Sequence, residues 1–361
     1  NVAVVEKSWL GSGNVGRNTT AIRLNYLLPE NKHFYELSMK MWETLSHELN
    51  YNVMFSQRGV LNLGHSLPQM DAFARRGNAM RLNGIDAELF TREDVEAILP
   101  GINRSRNARF PIEGGLMQGR GGTARHDAVA WGYARGADRR GVDLIENCEV
   151  TGFLLDGETI TGVRTVRGDI RAKKVAVAVA GSTGHVLNMA GIDRFPIESH
   201  VLQAFVSEAL QPVINTVATF GGGHLYFGQS DKGGLVFGGD IDGYNSYASR
   251  GNLPVVEDVM SEFMALFPNL GGVRLLRSWG GIMDMSMDGS PIIDIGPIPG
   301  MYLNCGWCYG GFKATPASGL CFAHTIAKGE PHPLIKPFAL DRFKAGRMID
   351  DKGQGATPRW H

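Results

Sequence analysis

Apolar residues recur along this chain with two different periods, and the changes between them mark the elements. Between 31 and 50, Phe34, Leu37, Met41, Leu45 and Leu49 fall on one face at i, i+3, i+4 spacing, which predicts an amphipathic helix. A second helix is expected near 68–83, stopping at Gly84, and another at about 127–140, N-capped by Asp127 and ended by Gly141. Thr91-Arg92-Glu93-Asp94 has the spacing of a capping box for a short helix, which Pro100 ends. Residues 255–267 predict an amphipathic helix ended by Pro268, and 314–327 a final one.

Strand patterns fill the rest. Val2-Ala3-Val4-Val5 and Val175-Ala-Val-Ala-Val-Ala180 are short unbroken apolar runs, as in strands of a parallel sheet buried on both faces. A strand is expected near 53–63, and more between 142 and 180, where Asp156-Gly157 is a hairpin turn. Residues 200–240 read as antiparallel strands turning at Asp231–Gly234, and Met301–Asn304 as a strand leading to Gly310-Gly311. The tail from 330 reads as irregular. Parallel-type elements at the start, middle and end, with antiparallel material between, predict an α/β class with one discontinuous domain interrupted twice. A chain that opens in a core strand also predicts that a first βα unit precedes it.

Composition narrows the function. Apolar residues are 43% and charged residues 20% of 361, ordinary for a globular chain with a sizeable core. The formal net charge is +0, so no field favours a phosphate backbone and nucleic acid is not an expected partner. No apolar run reaches membrane-spanning length, and no leader is recognised, so a cytoplasmic location is expected. Four cysteines are too few and scattered for a disulfide framework. Glycine is in excess, 48 residues, which implies many tight turns or close approaches of backbone to a ligand.

Several residues are candidates for chemistry. Gly11-Ser-Gly-Asn-Val-Gly16 matches G-x-G-x-x-G, but Ser8, Trp9 and Leu10 separate it from its strand, and the stretch about 20 residues on is the helix carrying Glu36. It therefore fails as a first phosphate loop. A better fit makes Val2–Val5 the second strand of a dinucleotide unit and Glu6 the ribose carboxylate, or else a solvated strand end. Val175–Gly184 and Gly310-Gly311 are further glycine turns, and three such turns feeding one sheet would suit a dinucleotide. Cys305-Gly-Trp-Cys308 lacks a second pair for zinc and reads as a chance C-x-x-C. His126, directly before a helix, reads by itself as a solvated or cap-adjacent residue. Arg23 and Lys313 lie beside glycine turns; lining one pocket, they would hold a carboxylate.

Four segments carry a resemblance over essentially the whole chain. They are Glu6-Lys-Ser-Trp-Leu-Gly-Ser-Gly-Asn-Val-Gly-Arg-Asn-Thr-Thr20, Gly122-Thr-Ala-Arg-His-Asp-Ala-Val-Ala-Trp131, Gly280-Gly-Ile-Met-Asp-Met285 and Gly310-Gly-Phe-Lys-Ala-Thr-Pro316. Together they resemble the β-subunit family of heterotetrameric sarcosine oxidases, within the D-amino-acid-oxidase-like FAD-dependent amine oxidases. The resemblance implies a discontinuous FAD-binding Rossmann-like domain (1–50, 111–195 and 286–361) lacking its first βα unit. A substrate domain with an antiparallel or mixed sheet would comprise 51–110 and 196–285.

The resemblance further implies two flavins. FAD would bind without a covalent bond, with Glu6 on the ribose and Val150 by the adenine. Gly13, Asn14, Arg17, Asn18, Thr19 and Thr20 would line its pyrophosphate and flavin, and Gly181 would lie beside it. Gly310, Gly311, Phe312 and Lys313 would face the isoalloxazine. FMN would be bound through its 8α carbon to His126, beside Arg125, replacing the bland reading of that histidine. Arg23 and Lys313 would clamp the carboxylate of sarcosine. Partners would be α, γ and δ subunits, with tetrahydrofolate bound by one of them. Two departures stand out: the absent first βα unit, and Cys308 where the family pattern has a small residue. No cysteine occurs in 280–292, unlike the single-subunit relatives that attach FAD there, which favours the two-flavin branch. Rival readings are an oxidase or dehydrogenase of another N-methyl amino acid such as dimethylglycine or N-methylproline, a non-catalytic structural partner, and, more distantly, an NAD-dependent dehydrogenase.

Overall fold

The computed structural model describes residues 1–349 apart from Asn25, Leu27, Gly222 and His224. The end of the expected irregular tail lies outside the described residues; its described part forms short 3-10 turns at Pro333–Phe338 and Leu340–Arg342.

Two parallel ladders carry the glycine turns. Val2–Val5 pairs with Val142–Ile145, from Val2↔Val142 to Val5↔Ile145. Val175–Val177 pairs with Met301–Cys305, which takes Ile292–Ile295 on its other side, antiparallel. Two expectations need correction here. The three glycine turns feed two ladders, not one sheet, among the described residues. The apolar runs are also not buried on both faces: Val2 is 60% and Val4 48% exposed, and Ala176 is exposed while Val177 is buried. Each run is the edge of its ladder, so one flank and part of a face meet solvent.

The other large unit is an eight-stranded sheet. Its order runs from Leu275–Ser286 through Ile197–Ala209, Gly234–Ile241, Tyr226–Gln229, Val217–Phe220, Val60–Gly64 and Gly114–Gln118 to Glu88–Thr91. Every pairing is antiparallel except Val217–Phe220 with Val60–Gly64. Phe205, Phe237 and Phe227 stand at one register across three strands, because alternate positions share a face. Phe263 and Phe267 of the Leu253–Leu266 helix and its C-cap pack on this row, with Phe237 and Phe263 centroids 4.5 Å apart. Burying each such ring is worth roughly 2 kcal/mol. The expected strand at 53–63 forms only over Val60–Gly64, since Met54 takes a left-handed φ of 56° that breaks the ladder.

The helices form where their apolar spacing places them, but in the first Leu37 and Met41 of the expected face are only half-buried. The first, Pro29–Leu49, buries Phe34, Tyr35, Met39, Trp42 and Leu45 and ends at Asn50 in the left-handed conformation. Against it packs the final helix, Gly311–Lys328, where Ser38 Oγ (2.6 Å) and Trp42 Nε1 (2.9 Å) both donate to the Lys313 carbonyl. That helix starts at Gly311 and not at 314, because Gly310 already occupies the N-cap. The capping box of Thr91 and Asp94 is present, as is the Asp156-Gly157 hairpin. Asp127 is not an N-cap: the helix opens at His126 after Arg125, and the Asp127 carboxylate pairs with Arg125 and its neighbour's amide.

Candidate active site

A cleft of about 940 Å³ collects residues from the large sheet and from both glycine-rich ladder ends. One wall is the segment after Glu6. Asn14–Arg17 forms a 3-10 turn stapled to the Leu275–Ser286 strand: Asn14 Nδ2 donates to the Ile282 carbonyl, and the Arg17 guanidinium to Gly280 O at 2.7 Å and Ser249 O at 3.1 Å. Trp279 Nε1 returns a bond to Arg17 O at 2.8 Å. Thr20 follows in the left-handed region at φ 65°, its amide held by Asn18 Oδ1. Thr19 hydrogen-bonds Tyr226, whose phenol burial pushes up to about 12.

The opposite wall is the turn from Met301–Cys305 into the final helix. Trp307, Cys308, Gly311, Phe312 and Lys313 face the cleft. Lys313 is 4% exposed, with Nζ 5.4 Å from the centroid of Tyr26. Burial, and then the neighbouring Arg23, hold its ammonium well below the ordinary lysine range. The one charge acting on it among the described residues is thus another cation. Asp284 is the cleft's buried acid; burial pushes it up to about 6 against the amides of Trp307, its own residue and Gly306.

The cleft brings together eight of the expected residues: Asn14, Arg17, Asn18, Thr19, Arg23, Gly311, Phe312 and Lys313. Glu6, Gly13, Thr20, Arg125, His126, Val150, Gly181 and Gly310 do not line it. Glu6 ends the first strand, and its Oε1 accepts the Ser8 amide (2.9 Å) and Ser12 hydroxyl (3.3 Å). Val150 begins the Val150–Asp156 strand. Gly181 and Gly310 are close-packing positions: a Cβ would stand 2.3 Å from the Ile282 carbonyl oxygen and 2.2 Å from the Tyr35 hydroxyl. His126 is half-buried at the first turn of its helix, and burial and Arg125 hold it below the usual histidine range against Asp127. Pairing of Ala21 with Thr123 and Ile22 with Gly122 brings its segment alongside that of Arg23.

Cys305 and Cys308 are both buried free thiols, pushed up by burial, Cys308 to about 12. They are poor redox nucleophiles. Asp284, Tyr226, Met283 and Arg76 line the cleft without having been singled out from the sequence. Met283 and Asp284 fall within the Gly280–Met285 segment that carries the resemblance, but nothing local in the sequence gives either of them a role.

A model of the FAD dependent oxidoreductase (DAO) family matches residues 1–325, and the chain belongs to that family. It is a flavin-dependent amine oxidoreductase that uses FAD. Within the family the chain is 66% identical over 361 residues to the sarcosine oxidase subunit beta of Rhizobium meliloti (strain 1021), covering all of this chain and 86% of that protein. It is 51% identical over 357 residues to the one from Arthrobacter sp, covering 99% and 88%. It is thus a member of the sarcosine oxidase subunit beta family. Among solved structures, L-proline dehydrogenase from P. horikoshii superposes with a TM-score of 0.89 at 27% identity, covering 96% of this chain and 92% of that one.

The site's chemistry fits a flavin nucleotide. The final helix has no side-chain cap and no acid in its first turn, so its first amides and dipole are open to an anion or a ring carbonyl. Arg17, Arg23, Arg76 and Lys313 give the lining a cationic excess. A Cβ at Gly319, on the same lining, would meet nothing within 4 Å. No described helix is long and apolar enough to cross a membrane.

Proposed function

We propose that this chain is the cytoplasmic β subunit of a heterotetramer with α, γ and δ subunits and that it oxidises the N-methyl group of sarcosine. The observation that carries this reading is Lys313: a buried ammonium facing a cleft, where the charge that acts on it is that of another cation, Arg23. An arriving carboxylate would supply the opposite charge, favour the lysine's charged form and fix the amine end of the same small molecule in the cleft. Apolar residues such as Leu202, Val217 and Phe220 would exclude water around it.

When bound, FAD and FMN would supply the redox chemistry, taking a hydride equivalent from the N-methyl carbon and delivering two electrons to oxygen as hydrogen peroxide; the imine product would then hydrolyse to glycine and formaldehyde or go to tetrahydrofolate on a partner subunit. Asn14, Asn18, Thr19, Gly311 and Phe312 would hold FAD in the cleft, with Glu6 and Val150 at its adenosine end. Gly13, Thr20, Gly181 and Gly310 would shape that site by their backbone conformation. His126 would carry FMN covalently; burial disfavours its protonated form, and the neutral ring has the nitrogen lone pair that a bond to the 8α carbon needs. Segments 1–50, 111–195 and 286–361 would form the cofactor domain, and 51–110 with 196–285 the cover over the reactive end.

The likeness to an L-proline dehydrogenase keeps another secondary or tertiary amino acid, such as dimethylglycine or N-methylproline, as the second reading. A substrate panel with peroxide detection separates them. Acid precipitation of the co-expressed assembly should release one flavin and retain one on this chain. His126→Ala should abolish only the retained flavin, and an unmodified His126 peptide by mass spectrometry would sink the two-flavin reading.

A further inference from the structure

Asp284 stands near the end of the Leu275–Ser286 strand, and nothing in the reaction above uses it. It is 2% exposed and lines the cleft. Its Oδ2 accepts the Gly306 N–H at 2.6 Å, the Trp307 N–H also donates to its carboxylate, and its carbonyl accepts the Cys308 N–H at 3.1 Å. Three successive amides therefore converge on one residue. They belong to the turn that joins the Met301–Cys305 strand to the final helix.

That turn has an unusual shape. Gly306 sits at φ +69° and Cys308 at φ +48°, and a non-glycine residue keeps such a conformation only where its surroundings over-determine it. Ser286 N–H donates to Cys308 Sγ at 3.3 Å, and Gly310 N–H returns to Trp307 O at 2.7 Å. The next residues are the first turn of the helix, Gly311 to Lys313. From the other side that turn is held by Ser38 and Trp42, which donate to the Lys313 carbonyl, and by the Tyr35 hydroxyl, which donates to the Gly310 carbonyl at 3.4 Å.

We propose that Asp284 is a positioning residue for carboxylate recognition: it clamps the 306–308 turn so that Lys313 enters the cleft beside Arg23. The proposal rests on the function given above and adds to it a residue that acts through another. An ionised carboxylate makes the stronger clamp, because charge-assisted bonds to amides exceed neutral ones. Its titratable neighbours are Cys305 and Cys308, held as thiols by burial; Asp288, paired with Arg342, also acts on Cys308, and Arg342 on Cys305. Glu198 and His200 flank its strand partner Ser199. Burial places the loss of the Asp284 charge at about 6, so the clamp should weaken as pH falls through that value.

The test compares Asp284→Asn with wild type in the flavin-loaded full assembly. Amide hydrogen exchange of the 304–312 peptide should accelerate, and affinity for acetate, read from the flavin difference spectrum, should fall, each by roughly tenfold. The KM for sarcosine should rise by a similar factor with a smaller fall in kcat. In wild type, exchange of that peptide, corrected for its intrinsic pH dependence, should accelerate as pH is lowered through about 6, and this extra acceleration should vanish in the variant. Unchanged exchange and acetate affinity, or a fall in kcat with KM unmoved, would overturn the proposal. Should the variant not assemble, the wild-type exchange profile decides: unchanged protection of the 304–312 peptide from about pH 5 to 7 rejects the clamp. Normal acetate and exchange responses in an assembly that never turns over sarcosine would reject the substrate and leave the clamp standing.

Discussion

Two cations lie deep in this molecule, and their surroundings differ in kind. Arg342 is 1% exposed; Nε and Nη2 grip both oxygens of Asp288 at 2.8 Å, and the remaining donors reach the carbonyls of Phe338, Ala339 and Ser290. The Asp288 carboxylate also accepts the amides of Ser290 and Ile349. Lys313 is nearly as buried, yet its one charged neighbour among the described residues is Arg23. A buried charge left without an opposite partner raises the free energy of the fold, and the site around Arg342 avoids this by local pairing. On the proposed function, the site around Lys313 leaves the pairing to a ligand. Burial alone therefore says little about a charged residue's role; the presence or absence of its counter-charge says most of it.

The largest expected effect comes from breaking the satisfied pair. Arg342→Met should cost roughly 3–5 kcal/mol, because Asp288 is then buried without compensation. Adding Asp288→Asn should recover much of that loss, since both charges are gone. Urea unfolding followed by tryptophan fluorescence gives the cycle, and equal losses in the single and double variants would contradict it.

Lys313→Met sharpens the contrast by moving stability and function in opposite directions. Carboxylate recognition should weaken by roughly 10- to 100-fold in kcat/KM, the value of a charge-assisted bond. Without substrate the same variant should melt at a higher temperature than wild type at neutral pH. Lys313 is depressed in the fold, so the unfolded chain binds more protons between its folded and its ordinary value, and wild-type stability climbs with pH there. The gap between the two proteins should close as pH approaches 10.5. Calorimetry in buffers of different ionisation enthalpy should also show proton uptake when acetate binds wild type, absent in the variant. A variant that melts lower and binds acetate normally would remove Lys313 from the site.

Local features were readable from the sequence and non-local ones were not. The Pro29–Leu49 helix, the Thr91–Asp94 capping box and the Asp156-Gly157 turn depend on residues close in sequence, and they formed; of the expected face Phe34, Leu45 and Leu49 are buried, while Leu37 and Met41 are half-buried at its edge. Exposure of Val2 and Val4 depends on which strands flank them, which an apolar run does not encode. Asp127 looked like an N-cap until Arg125, two residues back, took its carboxylate. Arg23 and Lys313 could be paired in advance only conditionally, on lining one pocket, and the fold supplies that condition. Asp284 was out of reach because its amide donors lie 22 residues along the chain. Arg342 fell in a stretch read as irregular, and its partner is 54 residues away.

A third cation tests how far pairing matters once water is near. Arg120 is bidentate to Glu43, at 2.9 and 3.0 Å, and reaches Glu36 at 3.1 Å. On contacts alone it rivals Arg342. Its side chain is 29% exposed, however, against 2% for Arg342, so solvent screens the attraction. Arg120→Met should therefore cost under about 1 kcal/mol. The Arg120 bonds hold Glu43 below the ordinary glutamate range, so the stability they add is complete above that range and is lost as pH falls through the depressed value. Salt should shrink the difference between wild type and variant further, whereas the Arg342 difference should stay. Melting curves at low and high salt read both at once. A loss at Arg120 as large as that at Arg342 would mean that the count of contacts, and not their desolvation, sets the strength of these pairs.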